Sequence, residues 1–168
     1  DAWGPLTHVY LGYQGLDLGA ALVPAGIYAI LKKHRNDFLY GNVIADIILG
    51  KRFQCGDKNS HYWDLAWELL DASKTDRQKA FAYGYLTHLC ADTVVHNLKK
   101  KRMPFSHPML ELKADSLVDK EYRKAMKNLD KVMQKRNDLF LEGKLESLIF
   151  SFKTNRRIFK GFMFLSRL

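Results

Sequence analysis

Apolar residues recur at helical spacing through the middle of the chain, in a stretch that starts at Thr75 and Asp76. Phe81, Tyr85 and Leu89 follow one another at steps of four residues, which places them on one face of an α-helix. No segment shows the sustained alternation of apolar and polar residues that indicates a half-buried strand. We therefore predict an all-α fold, and the length of 168 residues favours a single domain.

Proline, glycine and helix-capping residues divide the rest of the chain into further helices. Pro24 suits the first turn of one helix, Asn36 or Asp37 suits the cap of the next, and Gly50 suits its C-terminal end. Ser60 is a candidate cap for a fourth. The helices predicted in this way are 24–33, 38–49, 61–70, 75–99, and two amphipathic, lysine-rich segments at 107–132 and 138–152.

Positive charge is concentrated near the C-terminus. Residues 1–98 contain 9 Lys or Arg and 10 Asp or Glu, whereas residues 99–168 contain 18 and 8, and the whole chain has a formal net charge of +9. This basic half favours an anionic partner, either nucleic acid or a negatively charged membrane surface, and a solvated lysine-rich face is an equally good interpretation. The candidate membrane contact is the run Lys99, Lys100, Lys101 and Arg102.

Sequence features near the two ends bear on processing and location. Ala2 is the small residue that signal peptidase prefers before its cut, so we expect a cleaved signal and a mature N-terminus at Trp3. The apolar stretch from Ile158 to Leu165 needs a partner surface, and we expect the native chain to be longer. The longest uncharged run, Leu18 to Leu31, is too short to cross a bilayer.

Three potential metal ligands are spaced by four residues in the long central helix: His88, Asp92 and His96. This spacing puts them on one helical stripe, and imidazole nitrogens and carboxylate oxygens are ordinary Zn²⁺ ligands. The alternative is a polar stripe on a solvated face. Because the flanking residues Leu89 and Val95 are apolar, we favour a metal site.

Other candidate ligands lie before and after this helix. Asp46 occupies an aliphatic segment, where a carboxylate is costly unless it is paired or binds a metal. His107 and Glu111 share a helical face, and taken alone they are better explained by a surface hydrogen bond. His8 lies near the N-terminus, and His61 begins a predicted helix, where a histidine is commonly a surface residue.

In chain order these residues read His, Asp, His, His-x3-Asp, His, His-x3-Glu. This order resembles the zinc-dependent phospholipase C family, an all-helical fold whose cleft binds three zinc ions, and the fungal single-strand-specific nucleases share that fold and ligand order. The resemblance covers residues 3–111, leaving 112–168 as a basic helical remainder. It implies a secreted or periplasmic phosphodiester hydrolase in which a hydroxide that bridges two zinc ions attacks phosphorus.

The resemblance also implies nine ligands, divided among three zinc ions. The first ion is assigned to His8, Asp92, and the α-amino nitrogen and carbonyl oxygen of Trp3. The second is assigned to His61, His88, Asp92 and Asp46, which makes Asp92 the bridge. The third is assigned to His96, His107 and Glu111. Asp46 is also the implied base that orients or deprotonates the attacking water, whereas His34 matches no ligand and is interpreted as a surface residue.

Departures from the family pattern bear on the substrate. Gly4, Pro5 and Leu6 follow Trp3 where the phospholipases carry a glutamate, and an aromatic cage for choline is not evident. As substrates of a zinc hydrolase, we therefore rank phospholipid first and single-stranded nucleic acid second.

The third alternative is a protein that is not an enzyme: a metal-stabilised module that docks on anionic membranes. A nuclease would use stacking platforms such as Tyr62, Trp63 and Trp67, although we favour these as core residues.

Overall fold

A computed structural model describes residues 4–47, 63–99, 114–145 and 152–165. These ranges are helical and contain no strand, which confirms the predicted all-α class. None of the helices in this part of the chain combines the length and apolar character that a membrane span requires. The helices are α1 Pro5–Leu22, α2 Ala25–Lys33, α3 Arg35–Ile44, α4 Trp63–Asp71, α5 Asp76–Lys99, α6 Lys120–Lys127, α7 Lys131–Glu142 and α8 Phe152–Leu165.

The long central helix begins where its capping residues predict. The Thr75 hydroxyl accepts a hydrogen bond from the Gln78 backbone N–H, and the Gln78 side chain in return accepts from the Thr75 backbone N–H. This reciprocal pair satisfies N–H groups that have no partner within the helix itself. α2 likewise follows directly after Pro24, as predicted.

Other helix boundaries differ from the predictions. α3 begins at Arg35 rather than Phe38, and beyond Ile44 it continues as a 3₁₀ turn, Ala45–Ile47. The prediction of one segment over 107–132 was wrong, because residues 117–119 and 128–130 separate short helices. The start predicted at residue 138 was also wrong, because this helix, α7, begins at Lys131. Asp130 caps it by accepting a hydrogen bond from the Met133 backbone N–H.

α3 and α5 form the centre of the fold and pack with their backbones in direct contact. A Cβ atom at Gly41 would overlap the Phe81 carbonyl oxygen, and one at Gly84 would overlap the Phe38 carbonyl oxygen. Only glycine permits so close an approach. The crossing lays residues 38–42 of α3 against residues 81–88 of α5, and α1 packs against both helices.

Buried carboxylates connect α3 to the helices that follow. Asp37 accepts hydrogen bonds from the side chains of Arg136 and Asn137 on α7. Asp138 accepts a hydrogen bond from the Tyr40 hydroxyl and forms an ion pair with Arg156 on α8. Burial, together with the negative charge of Asp138, raises the pKa of Tyr40 far above its ordinary range, so the phenol remains a donor.

Candidate metal centre

Four side chains from three segments meet beside the α3–α5 crossing. His8 comes from the buried face of α1, Asp46 from the 3₁₀ turn after α3, and His88 and Asp92 from successive turns of α5. Both histidines have no exposed surface, and Asp92 is 4% exposed. The Asp46 side chain is the more accessible carboxylate, at 16% exposed.

The ligand atoms of these residues converge. His8 Nε2 lies 3.4 Å from Asp92 Oδ1, and His88 Nε2 lies 3.6 Å from Asp92 Oδ2 and 3.8 Å from Asp46 Oδ1. One ligand atom from each of His8, Asp46 and His88 lies within 4.8 Å of the others. The two imidazole rings are stacked, with centroids 3.8 Å apart. Each oxygen of Asp92 therefore faces a different imidazole.

The spacing of these atoms fits a shared cation better than direct hydrogen bonds. Nitrogen–oxygen hydrogen bonds are about 2.7–3.2 Å long, and all three separations are longer than this. In a tetrahedral zinc site with bonds of about 2.0–2.1 Å, two ligand atoms lie roughly 3.4 Å apart. The separations between the histidine nitrogens and the carboxylate oxygens lie close to that value.

Burial of His8 is a second indication of a metal. Among the residues that the structure describes, neither ring nitrogen of His8 has a hydrogen-bond partner. Leaving a buried polar group without a partner costs about 1–3 kcal/mol. A cation bound at His8 Nε2 would remove part of this cost and would offset the negative charge of the buried Asp92. The site residues therefore fit zinc in both chemistry and spacing.

The backbone of α3 fixes the orientation of His88. Its Nδ1 lies 2.7 Å from the carbonyl oxygen of Asn42, and because a carbonyl can only accept, Nδ1 carries the proton. Nε2 is then left with its lone pair directed towards the two carboxylates. Histidine ligands of metals are commonly oriented by such a hydrogen bond on the opposite nitrogen.

Tyr85 lies one turn before His88 and is fully buried. Burial, and secondarily the negative charge of Asp46, raise the pKa of Tyr85 well above its ordinary value. The phenol therefore stays neutral over the pH range in which the neighbouring carboxylates are ionised.

A distant carboxylate fixes the start of α1. Asp115 accepts hydrogen bonds from the backbone N–H of Leu6 at 3.3 Å and of Thr7 at 2.8 Å, and from the Thr7 hydroxyl at 2.7 Å. A Cβ atom at Gly4 would overlap the Asp115 carboxylate, so a larger residue there would force Asp115 to shift. Sequence reasoning missed Asp115, because a cap supplied by a residue over a hundred positions away leaves no local pattern.

The structure brings four of the nine predicted ligands together: His8, Asp46, His88 and Asp92. The other five predicted ligands cannot be compared with the structure, since Trp3, His61, His107, Glu111 and the side chain of His96 lie outside what it describes. The same holds for the predicted membrane contact, the side chain of Lys99 and residues 100–102. The division of ligands among three ions stays a prediction.

Two predictions about other residues can be compared with the structure. The interpretation of Trp63 and Trp67 as core residues was wrong, because they are 39% and 50% exposed. Their spacing of four puts both on the outer face of α4. His34 is partly exposed at the C-terminal cap of α2, away from the four clustered side chains.

Comparison with protein families found one described as zinc dependent phospholipase C, which matches residues 7–157. All four clustered side chains lie within the matched region. A search of curated proteins and a search of solved structures each found no match.

Proposed function

Because the chain belongs to the zinc-dependent phospholipase C family, we propose that it is a zinc-dependent hydrolase of phosphodiesters, with phospholipid as its substrate. The observation that carries this proposal is the buried cluster of His8, Asp46, His88 and Asp92 inside the matched region. Zinc, when bound, supplies a Lewis acid for phosphoryl oxygens and lowers the pKa of a coordinated water.

The histidines are proposed to hold and orient the metal. His8 and His88 offer Nε2, and the hydrogen bond from His88 Nδ1 to Asn42 keeps that nitrogen directed at the site. Asp92 is proposed to contact two ions, which is supported by its two oxygens facing two different imidazoles. The proposed remaining ligands are Trp3 for the first ion, His61 for the second, and His96, His107 and Glu111 for the third.

Asp46 is proposed as the base that takes a proton from the attacking water. A base must reach both solvent and the reacting group, and Asp46 is the more accessible of the two carboxylates in the cluster. Its Oδ1 lies 3.8 Å from His88 Nε2, so it is close enough to the metal ligands to act on a water held between them. We propose that the protein acts outside the cytoplasm, secreted or periplasmic, which family membership supports.

Cleavage of single-stranded nucleic acid is a second candidate activity, and one observation favours it. Trp63 and Trp67 present exposed aromatic faces on α4, and base stacking on such faces is a common mode of single-strand binding. The same side chains suit the interface of a lipid bilayer equally well. Comparing the hydrolysis of phospholipid with that of single-stranded DNA decides between the two activities.

The proposal is tested by measuring hydrolysis of phosphatidylcholine and phosphatidylglycerol vesicles, and of single-stranded DNA, at micromolar zinc. We expect release of the phosphorylated head group, and loss of that activity in His88→Ala. The control Asp71→Ala, on the exposed end of α4, should retain it. Cleavage of DNA alone would favour the nuclease, and no hydrolysis of any substrate by zinc-loaded protein would contradict the proposal.

A further inference from the structure

A cavity of about 400 Å³ lies at the end of α3 and α5 remote from the metal centre. It forms where the first turns of three helices meet: Arg35 begins α3, Arg77 lies in the first turn of α5, and Met133 lies in the first turn of α7. Arg77 precedes His88 by eleven residues on one continuous helix, a separation of about 16 Å at 1.5 Å per residue. The cavity is therefore distinct from the metal centre.

The walls of this cavity carry an excess of positive charge. Five cationic side chains line it: Lys32, Lys33, Arg35, Arg77 and Arg136. Two carboxylates also line it: Asp37 pairs with Arg136 and accepts from Asn137, and Asp130 caps α7, so the cations exceed the carboxylates by three. We call this site the basic cavity.

Within the part of the chain that the structure describes, four of these cations form no ion pair. Within the described ranges, no carboxylate lies within 4.0 Å of the charged nitrogens of Lys32, Lys33, Arg35 or Arg77. Like charges crowded around a cleft repel one another, and an anion placed between them relieves that repulsion. All four side chains are exposed, so their charge is accessible to an anionic ligand.

Two of the cations contact aromatic rings that line an adjoining pocket. The Arg35 guanidinium lies 5.7 Å from the ring centre of Tyr13, and the Lys32 ammonium lies 6.0 Å from that of Tyr28. The charged groups of Lys32 and Arg35 are therefore shared between the basic cavity and the pocket that these rings line. The N-termini of α3, α5 and α7 add positive potential at the same place, because the helix dipole is positive at its N-terminal end, whereas the C-terminal end of α2 contributes the opposite sign.

We propose that the basic cavity binds a phosphate monoester, at a site separate from the metal centre. A guanidinium group can donate two parallel hydrogen bonds to phosphate oxygens, and lysines add charge without that directional requirement. The volume is at the lower end of the range for small-molecule pockets and suits a small organic phosphate. The same chemical group occurs on soluble metabolites and on lipid head groups. The proposal does not depend on the hydrolase activity.

The test uses calorimetric titration of the zinc-loaded full chain with glycerol 3-phosphate. The variant Lys33→Gln/Arg77→Gln removes two cations from the basic cavity. Lys124→Gln/Arg157→Gln removes the same charge from exposed positions on α6 and α8. Loss of two charge-assisted hydrogen bonds should weaken binding at the cavity at least about tenfold, and the control should stay within about twofold. Zinc content should be equal in all three proteins, which separates this site from the metal centre.

A second arm identifies the source of the phosphate. Co-sedimentation is measured with phosphatidylcholine vesicles that contain either phosphatidic acid, which carries a monoester, or phosphatidylglycerol, which does not. If the unmodified protein prefers vesicles with phosphatidic acid and the cavity variant does not, the site is assigned to a lipid head group. If binding of glycerol 3-phosphate is weaker in the cavity variant but the vesicles show no preference for phosphatidic acid, the site is assigned to a soluble phosphate. Equal binding of glycerol 3-phosphate by the cavity variant and the unmodified protein, or equal weakening in the control, would overturn the proposal.

Discussion

At the scale of single residues, Asp92 is the side chain on which the metal centre depends most. Its two oxygens face His8 and His88 at 3.4 and 3.6 Å. Asp92→Asn removes the negative charge and one anionic ligand atom from a buried position, so we expect loss of most bound zinc and at least about a 10²-fold fall in hydrolysis. Elemental analysis and rate measurement check this. The matched variant Asp71→Asn should change neither, and full zinc occupancy in Asp92→Asn would refute the bridging role.

Asp46 should behave differently from Asp92. If it acts as the base, Asp46→Asn lowers turnover by about 10²–10⁴-fold, while zinc content falls far less, because the histidines and Asp92 still hold the ion. Zinc content and turnover measured on the same preparation give the comparison. A parallel loss of metal and rate would make Asp46 an ordinary ligand.

Only part of this residue-level arrangement could be predicted from the sequence. The spacing of His88 and Asp92 puts them on one helical stripe, the aliphatic surroundings of Asp46 mark it as a candidate ligand, and the family resemblance assigns His8. The partner of His88 Nδ1 is a backbone carbonyl at Asn42, which every residue possesses and no side-chain pattern indicates. This hydrogen bond can be identified only once the packing of α3 against α5 is known.

At the scale of helices, the crossing of α3 and α5 is set by glycine. Gly84→Ala would drive a methyl group into the Phe38 carbonyl oxygen. We expect a loss of about 1–3 kcal/mol in the free energy of unfolding, together with weaker zinc binding, because His88 follows one turn later.

The control for this prediction is Gly15→Ala. Gly15 lies within α1 and has open space around it, so alanine should stabilise the helix by about 0.5–1 kcal/mol. Urea denaturation measures both variants. Equal stability of Gly84→Ala and the unmodified protein would show that the two helices do not require this contact.

The start of α1 gives a second prediction at this scale. Asp115→Ala removes the acceptor of three hydrogen bonds from Leu6 and Thr7, and we expect a loss of about 1–3 kcal/mol and a lower affinity for zinc through His8. Asp115→Asn keeps one carbonyl oxygen and should recover part of both. Denaturation and zinc titration measure the two effects. If neither variant altered zinc affinity, α1 would not depend on this cap to position His8.

Helix boundaries in the C-terminal part show why local patterns were insufficient. The lysine-rich segments 107–132 and 138–152 are amphipathic, and their periodicity alone does not say where each helix stops. The breaks at 117–119 and 128–130 depend on caps such as Asp130 and on docking of α7 against α3 through Asp37. The Asp130 cap is local and could have been read from the sequence, whereas the contact of α7 with Asp37 is tertiary and could not.

At the scale of the whole molecule, folding places charge in a way that the linear sequence does not. The C-terminal half carries the excess of basic residues, yet four of the five cations of the basic cavity come from residues 32–77. That region belongs to the N-terminal part, where acidic and basic residues nearly balance. Total charge was compatible with an anionic partner and equally with a solvated lysine-rich face, and the basic cavity is the place at which we propose that an anion binds.

The measurement that tests the metal centre most directly is the zinc content of the native protein, purified without chelator and equilibrated with micromolar zinc. Buried His8, His88 and Asp92 are costly to fold without a cation, so we predict tightly bound zinc. The stoichiometry should reach three ions per chain if all nine predicted ligands act. Protein that is folded and monodisperse but retains no zinc would contradict the account.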